Sequence, residues 1–272
     1  MTERTEPSAG HAKRTAAAAL PVNWPRRAGY IALALYTIYA ASTLDVTYER
    51  IARGIPQGAK FLARMWPPNF EPLKLDLMRQ GLVESIEIAV VATFFGVLLS
   101  LPLGLLAARN LMPAWISWTA RVAIALFRSF NPVIVAILFV KAIGFGALAG
   151  IMALIIGSMG FVSKLFAEAI EEMNLKQVEA VRATGASFTN VLIMGVVPQV
   201  MARFAGFTAY QLDSNLRNST MVGIVGGGGI GAALFTAYQR FDYDFVLTIL
   251  IAIIAIIMVS EFVSTQIRKL FQ

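Results

Sequence analysis

The sequence contains no cysteine and a single histidine, His11. The absence of cysteine excludes disulfides and thiolate metal sites, and a lone histidine in a polar amino-terminal tail is expected to be solvated. We therefore expect no metal site. Charged residues are also scarce, at 14% of the 272 residues, while 57% are hydrophobic. The mean hydropathy of +0.68 is well above that of a soluble domain, which places the chain in a membrane.

Two nucleotide-related signatures are missing or out of context. No stretch matches the G-x-x-x-x-G-K-[ST] phosphate loop, so the chain is not expected to bind ATP by that route. Residues 226–231 match G-x-G-x-x-G, but a preceding strand is implausible between membrane segments, so a turn is predicted. Anion binding by its backbone N–H groups is the alternative. Nothing in the chain indicates covalent chemistry, and we predict no catalytic residue and no enzyme.

The basic residues do not indicate nucleic-acid binding. The net charge is +7, but these residues are spread around hydrophobic segments rather than collected on one soluble face. Those in the tail before the first hydrophobic segment favour a cytoplasmic amino terminus, since positive charge is enriched on that side. The many basic residues between residues 45 and 80 oppose this bias if that segment lies outside, so charge alone leaves the orientation open.

Six segments are predicted to cross the membrane as helices, each needing about 17–25 apolar residues. Four of them are uncharged: 28–44, 88–108, 142–163 and 245–260. The other two, 113–140 and 198–225, are interrupted by polar residues, and the first of these also contains the pair Asn131-Pro132. The sequence therefore predicts an all-α polytopic membrane protein with both termini on the cytoplasmic side.

The predicted organisation follows from these spans. It consists of a cytoplasmic tail (1–27), a first transmembrane helix (28–46), an extracytoplasmic amphipathic loop (47–80), a membrane core (81–265) and a cytoplasmic carboxyl-terminal tail (266–272).

A charged segment, 168–190, interrupts the core and is rich in helix-forming residues. We expect one or two short helices there, ending at Gly185, a natural carboxyl-terminal cap. Glu172 and Lys176 are four residues apart and are predicted to pair. Pro198 is expected in the first turn of the next membrane helix, where its missing N–H is tolerated. The segment is thus a polar surface that a partner outside the membrane can contact.

This segment resembles the coupling motif of ATP-binding-cassette (ABC) importer permeases, written E-A-A, three residues, G, nine residues, I-x-L-P. The matching positions are Glu179, Ala180, Gly185 and Pro198. Val181 and Gly195 stand where the motif has alanine and isoleucine. Five further stretches are similar to permeases of phosphonate-type ABC importers: FLARMWPPN, LPLGLLAARN, FRSFNPV, KLFAEAIEEM and SNLRNSTMVGIVGGGGIG.

The resemblance implies a type I ABC importer transmembrane domain in the bacterial plasma membrane, with cytoplasmic coupling helices. It implies import of phosphonate, phosphite or phosphate by alternating access. The implied partners are a second permease copy in a homodimer, two ABC ATPase subunits, an extracytoplasmic binding protein and the lipid bilayer. ATP and Mg are used by the ATPases, and no cofactor is expected on this chain. The implied coupling residues are Glu171, Glu172, Glu179, Ala180, Gly185 and Pro198.

The fifth predicted span carries polar residues at helical spacings of three and four, which places them on one face. They are Gln199, Arg203, Gly206, Tyr210, Asp213 and Arg217, hereafter the polar stripe. Because a charged residue at mid-bilayer costs about 2.5–3.5 kcal/mol on insertion scales, the stripe is predicted to line the translocation pathway. A structural ion-pair network between helices is the alternative. Asp213 and Arg217 are predicted to pair.

Other polar residues extend this prediction. The full set predicted for the pathway is Arg203, Tyr210, Asp213, Asn215, Arg217, Asn218, Ser219 and Thr220, with Arg128 and Ser129 of the broken third span as a second group. The amides and hydroxyls among them can hydrogen-bond a tetrahedral oxyanion. The alternative for those near residue 218 is capping of a helix end.

Two other functions stay open on the sequence. One is an ABC permease of the same fold for another small solute, such as methionine, which would not need the arginines of the fifth span. The other is an ion channel, or an integral membrane enzyme, that works without ATPases.

Overall fold

A computed structural model of the protein describes residues 24–44 and 47–271. Every regular element among these residues is helical, because a chain in hydrocarbon must satisfy its backbone hydrogen bonds internally. The chain divides into two compact units, Met1–Lys60 and Phe61–Gln272. His11 and most of the predicted tail 1–27 lie outside the described residues.

The first unit contains α1 (Trp24–Thr43) and most of α2 (Tyr48–Met65). On α2, Ile51, Ile55 and Leu62 share one face, and Arg53 and Lys60 share the opposite one. This alternation makes α2 amphipathic, and α2 occupies Tyr48–Met65 of the predicted segment 47–80.

The second unit starts its long helices earlier than predicted. Helix α3 runs over Pro72–Ala107 and so begins before residue 81, where the predicted core starts, and before residue 88, where the uncharged run starts. Lys74, Asp76 and Arg79 lie in its first turns and interrupt the apolar run that marked the span. At 1.5 Å per residue α3 is about 54 Å long, which exceeds the hydrocarbon thickness of about 30 Å. Its charged start therefore has room to project beyond the hydrocarbon.

The remaining elements follow in chain order. They are α4 (Ala114–Ser129), α5 (Pro132–Ile143), α6 (Ala147–Glu171), α7 (Leu175–Ala183), α8 (Phe188–Val191), a π-helical turn (Leu192–Val196), α9 (Val197–Ile224), α10 (Gly229–Gln239) and α11 (Tyr243–Phe271). Among the residues that the structure describes, four helical segments can cross a membrane by length and composition, or six if each of two bent helix pairs is one span. The prediction of an all-α polytopic membrane protein is confirmed.

The third predicted span is broken where the sequence indicated. Helices α4 and α5 meet at 83°. Asn131 caps α5 by accepting a hydrogen bond from the Val133 N–H at 2.9 Å, and Pro132 occupies the first turn. The chain therefore changes direction at this point without leaving the start of α5 uncapped.

Helices α3 and α6 form the most extensive contact of the second unit. Small residues spaced by four on α3 allow it. Gly96 lies against Ser158, and a side chain at Gly104 would come within 2.9 Å of the Ser163 carbonyl oxygen. Between them, Ser163 donates a hydrogen bond to the Ser100 carbonyl at 3.2 Å. Close approach of this kind replaces the missing hydrophobic drive between helices in lipid.

The glycine run forms a turn between α9 and α10, as predicted. Gly226, Gly228 and Gly229 all have positive φ, which only glycine adopts without strain. Gly150 lies so close to the Gly227 carbonyl that no side chain fits between them. Helix α10 was not predicted, because it is too short to read as a span. The predicted tail 266–272 is also helical as far as the structure describes it, since α11 ends at Phe271.

Candidate coupling surface and translocation cavity

The predicted coupling segment, 168–190, comprises the end of α6, all of α7 and the start of α8. The helical run is interrupted because Asn174 caps α7, accepting a hydrogen bond from the Lys176 N–H at 3.1 Å. Glu172 and Lys176 therefore lie on different sides of a break, and their predicted pair is replaced by an ion pair of Glu172 with Arg203 at 2.6 Å. Gly185 follows the end of α7 with φ of 76°, as expected of a carboxyl-terminal cap.

Helix α7 is buried on one side only. Val178 is fully buried in an apolar cluster that also contains Ile170, Val191 and Val200. Other α7 side chains point away from this cluster and are exposed: Leu175, Glu179, Ala180 and Arg182. The burial of Val178 holds α7 against the bundle, and its other face remains available to a partner.

Two neighbouring carboxylates at the end of α6 form a fork. Glu171 accepts hydrogen bonds from the Arg109 N–H at 2.7 Å and from the Arg121 guanidinium at 2.6 Å. Arg109 follows α3 and Arg121 lies on α4, so this carboxylate joins three elements. Glu172 points to the other side and pairs with Arg203 of α9. The fork therefore links the segment before α7 to α3 and α4 on one side and to α9 on the other.

The residues of the polar stripe on α9 make different kinds of contact along the helix. Near its start Gln199 accepts a hydrogen bond from the Asn174 N–H at 3.0 Å, and Arg203 belongs to the fork. Further along, Tyr210 stacks on Phe161 with ring centroids 5.5 Å apart. The predicted pair of Asp213 with Arg217 forms at 3.0 Å. The stripe thus contains structural contacts at both ends.

A cavity of about 300 Å³ lies where the break between α4 and α5 faces α6 and α9. Four of the predicted pathway residues meet there: Arg128, Tyr210, Asn215 and Asn218. Among the described residues that line it, none is acidic. The other predicted pathway residues are not among its lining: Ser129, Arg203, Asp213, Arg217, Ser219 and Thr220.

Behind this cavity lies a buried polar network of four neutral side chains, Thr93, Ser158, Gln211 and Asn215. The Asn215 amide donates to the Thr93 and Ser158 hydroxyls, each at 2.9 Å. The Gln211 amide donates to Ser158 at 2.9 Å and to the Asn215 oxygen at 3.0 Å. This network joins α3, α6 and α9, and its amides face the cavity as well.

The sequence prediction missed three members of this network. Gln211 lies four residues before Asn215, which was a usable signal. Thr93 and Ser158 lie in apolar runs, where no sequence pattern indicated a polar contact. Capping by the residues near position 218 is wrong, because α9 continues to Ile224. Within residues 24–44 and 47–271, no group of three or more histidine, cysteine, aspartate or glutamate side chains is placed to hold a metal ion.

Comparison with known proteins places the chain among transport proteins. Residues 100–272 match the family described as "Binding-protein-dependent transport system inner membrane component". The chain is 35% identical over 256 residues to the phosphite transport system permease protein PtxC of Stutzerimonas stutzeri, which covers 92% of each chain. It is 42% identical over 207 residues to the phosphate-import permease protein PhnE of Mycolicibacterium smegmatis, covering 76% of this chain and 39% of that relative.

The fold also matches solved structures. An inward-facing form of the MetNI methionine ABC transporter contains a chain similar to this one, with a TM-score of 0.67 and 23% sequence identity. The match covers 75% of this chain and 100% of that one. At this identity the likeness concerns the fold.

Proposed function

This chain belongs to the family of binding-protein-dependent transport system inner membrane components, and we propose that it is the permease subunit of an ABC importer for a phosphorus oxyanion. The oxyanion class is phosphonate, phosphite or phosphate, and the relatives that are 35% and 42% identical are named for phosphite and phosphate. The chain is a multi-pass transport subunit and not an enzyme. Hydrolysis of ATP, with Mg, belongs to separate ATPase subunits.

The observation that carries this proposal is the one-sided burial of α7. Val178 fastens the helix to the bundle, whereas Glu179 and Ala180 are exposed. We assign the exposed face to an ATPase subunit in the cytoplasm. Gly185 ends the helix, and Pro198 begins α9 beyond the π-helical turn. The coupling residues of this proposal are Glu171, Glu172, Glu179, Ala180, Gly185 and Pro198.

The cavity supports the choice of an anionic substrate. Arg128 supplies a guanidinium, which binds tetrahedral oxyanions through paired N–H groups. Tyr210, Asn215 and Asn218 add neutral donors around it. A zwitterion such as methionine would bring its ammonium group next to Arg128 without a carboxylate to accept it. The cavity therefore favours an oxyanion over methionine.

A second copy of the chain completes the pathway in this proposal. Arg128 and Arg217 lie on membrane helices and are exposed in the single protomer. An arginine facing hydrocarbon costs about 2.5–3.5 kcal/mol on insertion scales. Protein or water must therefore cover these faces, and a homodimer with a watery path between the copies supplies both.

The transport cycle follows from these contacts. ATP binding draws two ATPase subunits together, and the docked α7 helices move with them. The fork of Glu171 and Glu172 transmits this movement to α4 and α9, which carry the walls of the cavity. The cavity then opens to the outside, where a binding protein releases the oxyanion into it. Hydrolysis returns the cavity to the cytoplasmic side, where both termini lie.

The test is reconstitution of the chain with its cognate ATPase and binding protein in proteoliposomes. Uptake of phosphate, phosphite, methylphosphonate and D-methionine is measured with and without ATP. We expect uptake of at least one oxyanion that requires both ATP and the binding protein, and no uptake of methionine. Flux of an oxyanion without ATP would instead indicate a channel, and preferred uptake of methionine would contradict the substrate class.

A charge reversal tests the coupling surface. Glu179→Lys is expected to reduce the amount of ATPase that copurifies with the permease, because it changes the docked face. Glu71→Lys is the matched control, since Glu71 is an exposed glutamate that precedes α3. An ATPase yield that stays normal in Glu179→Lys would remove this helix from the coupling role.

A further inference from the structure

A second cavity, of about 180 Å³, lies between α4 and α6 and shares Arg128 with the first. Helix α6 contributes Gly157 and Phe161 to the first cavity, and Lys164 and Glu168 to the second. These positions follow one another at intervals of three or four residues, so the two cavities lie along one face of α6. The second cavity, hereafter the α4–α6 chamber, is the one nearer to α7.

We infer that the α4–α6 chamber is a second holding site for the transported phosphorus oxyanion, to which Arg128 passes the ion from the first cavity. The inference rests on the proposed function for the identity of its ligand. Its position on the α7 side makes it the later of the two sites during import.

The charge of the chamber suits an anion that must first bind there and then be released. Arg121, Arg128 and Lys164 all line it. Glu168 lies 3.4 Å from Lys164, and Glu171 pairs with Arg121, so two of the three cations are partly compensated. Within the part of the chain that the structure describes, Arg128 forms no ion pair. The net positive charge attracts an anion, and the compensation keeps its affinity low enough for release.

The contact between α4 and α6 fixes the position of Arg128 between the two cavities. At Gly160 a Cβ would lie 2.9 Å from both the backbone nitrogen and the Cγ of Arg128. Gly157 similarly faces Pro132 at 3.3 Å. Gly160 thus lets the end of α4 lie directly against α6, and Gly157 does the same for the start of α5. Arg128 thus lines both cavities, and rotation of its side chain would carry a bound oxyanion from one to the other.

The phosphate group of an anionic lipid has the same chemistry as the transported ion. Lipid headgroups are fixed at the membrane surface, however, whereas the α4–α6 chamber shares Arg128 with the first cavity. The inference therefore commits to the transported ion, and the test contains an arm for the lipid.

Because the chain has no cysteine, a single introduced thiol can report on the chamber. Ala125→Cys places it in the lining, and the assembled transporter is studied in phosphatidylcholine nanodiscs. The rate of reaction with a water-soluble thiol reagent is measured with phosphate, phosphite or methylphosphonate at constant ionic strength. At an oxyanion concentration ten times its Kd, mass action predicts a rate about tenfold lower.

A second substitution tests which residue holds the ion. In Ala125→Cys with Lys164→Gln, protection is expected to need about tenfold more oxyanion, since one charged hydrogen bond is lost. Leu126→Cys is the matched control on the exposed surface of α4, and its rate should not respond to the ion. Copurification with the ATPase verifies that each variant assembles.

Three outcomes would overturn the inference. The thiol at position 125 does not react with the aqueous reagent, or the oxyanions leave its rate unchanged, or phosphatidylglycerol nanodiscs protect it without added oxyanion. Failure of the proposed function gives a different result, because the wild-type transporter would then take up no oxyanion at all. Normal oxyanion uptake together with an unprotected thiol would refute the chamber alone.

Discussion

The buried polar network and the fork at the end of α6 both join several helices through polar side chains, but the side chains differ in charge. The network uses neutral amides and hydroxyls, and Asn215 and Ser158 are almost completely buried. The fork uses full charges, and its side chains remain exposed by 27% at Glu171 and 66% at Glu172.

The difference follows from the cost of removing charge from water. A neutral amide needs only its hydrogen-bond partners to be stable at depth, whereas a buried ion pair often fails to recover the hydration that it loses. Charged links therefore occur where water still reaches them. Removal of a link should cost most in the network and least at the exposed side of the fork.

Asn215→Leu is expected to have the largest effect on stability. It removes the buried hydrogen bonds that Asn215 forms with Thr93, Ser158 and Gln211, and we expect the free energy of unfolding to fall by about 2 kcal/mol. Thermal unfolding in nanodiscs measures it, with Met221→Leu on the exposed side of α9 as the control. Equal unfolding midpoints for the two variants would show that the network does not stabilise the fold.

Glu171→Gln should come second, at about 1–2 kcal/mol. The substitution keeps an oxygen for the Arg109 N–H but removes the charge that faces Arg121, whose side chain is only 32% exposed. The same unfolding measurement applies. High salt should destabilise the wild-type protein much less than this substitution does, because dissolved ions screen a partly buried pair poorly. A loss that vanishes in high salt would contradict the partly buried character of this link.

Arg217→Ala should destabilise the fold by about 1 kcal/mol. Arg217 is 54% exposed, but its partner Asp213 is only 12% exposed and keeps just the hydrogen bond from Ser260. Uptake of oxyanion should fall while the complex still assembles, if Arg217 belongs to the pathway. Normal uptake in reconstituted vesicles would leave Arg217 with the structural role alone.

Glu172→Gln should have the smallest effect, within about 0.5 kcal/mol, as for exposed ion pairs in general. Its distance to Arg203 equals that of Glu171 to Arg121, at 2.6 Å, so the two ion pairs differ in exposure and not in length. If Glu172→Gln proved as destabilising as Glu171→Gln, exposure would not be the deciding variable.

Local features of the fold could be predicted from the sequence. The break at Asn131-Pro132, the cap at Gly185 and the turn in the glycine run each depend on a few adjacent residues. The start of α3 could not be predicted, because Lys74, Asp76 and Arg79 interrupt the apolar run although the helix continues through them. Hydropathy locates the part of a helix within hydrocarbon, and not the part beyond it.

The candidate site was predicted only in outline. Spacing placed Tyr210 and Asp213 on one face of a helix, but it could not show that Tyr210 borders the first cavity while Asp213 does not. That distinction depends on Phe161 and Ser260, which belong to other helices.

The sequence by itself determined that this chain lies in a membrane, is helical and carries a segment that resembles the coupling motif, since hydropathy, helix propensity and residue spacing are properties of neighbouring residues. Only the tertiary structure decided which polar groups meet. Asn215 finds Thr93 across 122 positions of the chain, and Glu171 and Glu172, although adjacent, pair with different helices. The physical reason is that a hydrogen bond requires two groups within about 3 Å, and the packing of distant helices sets that distance.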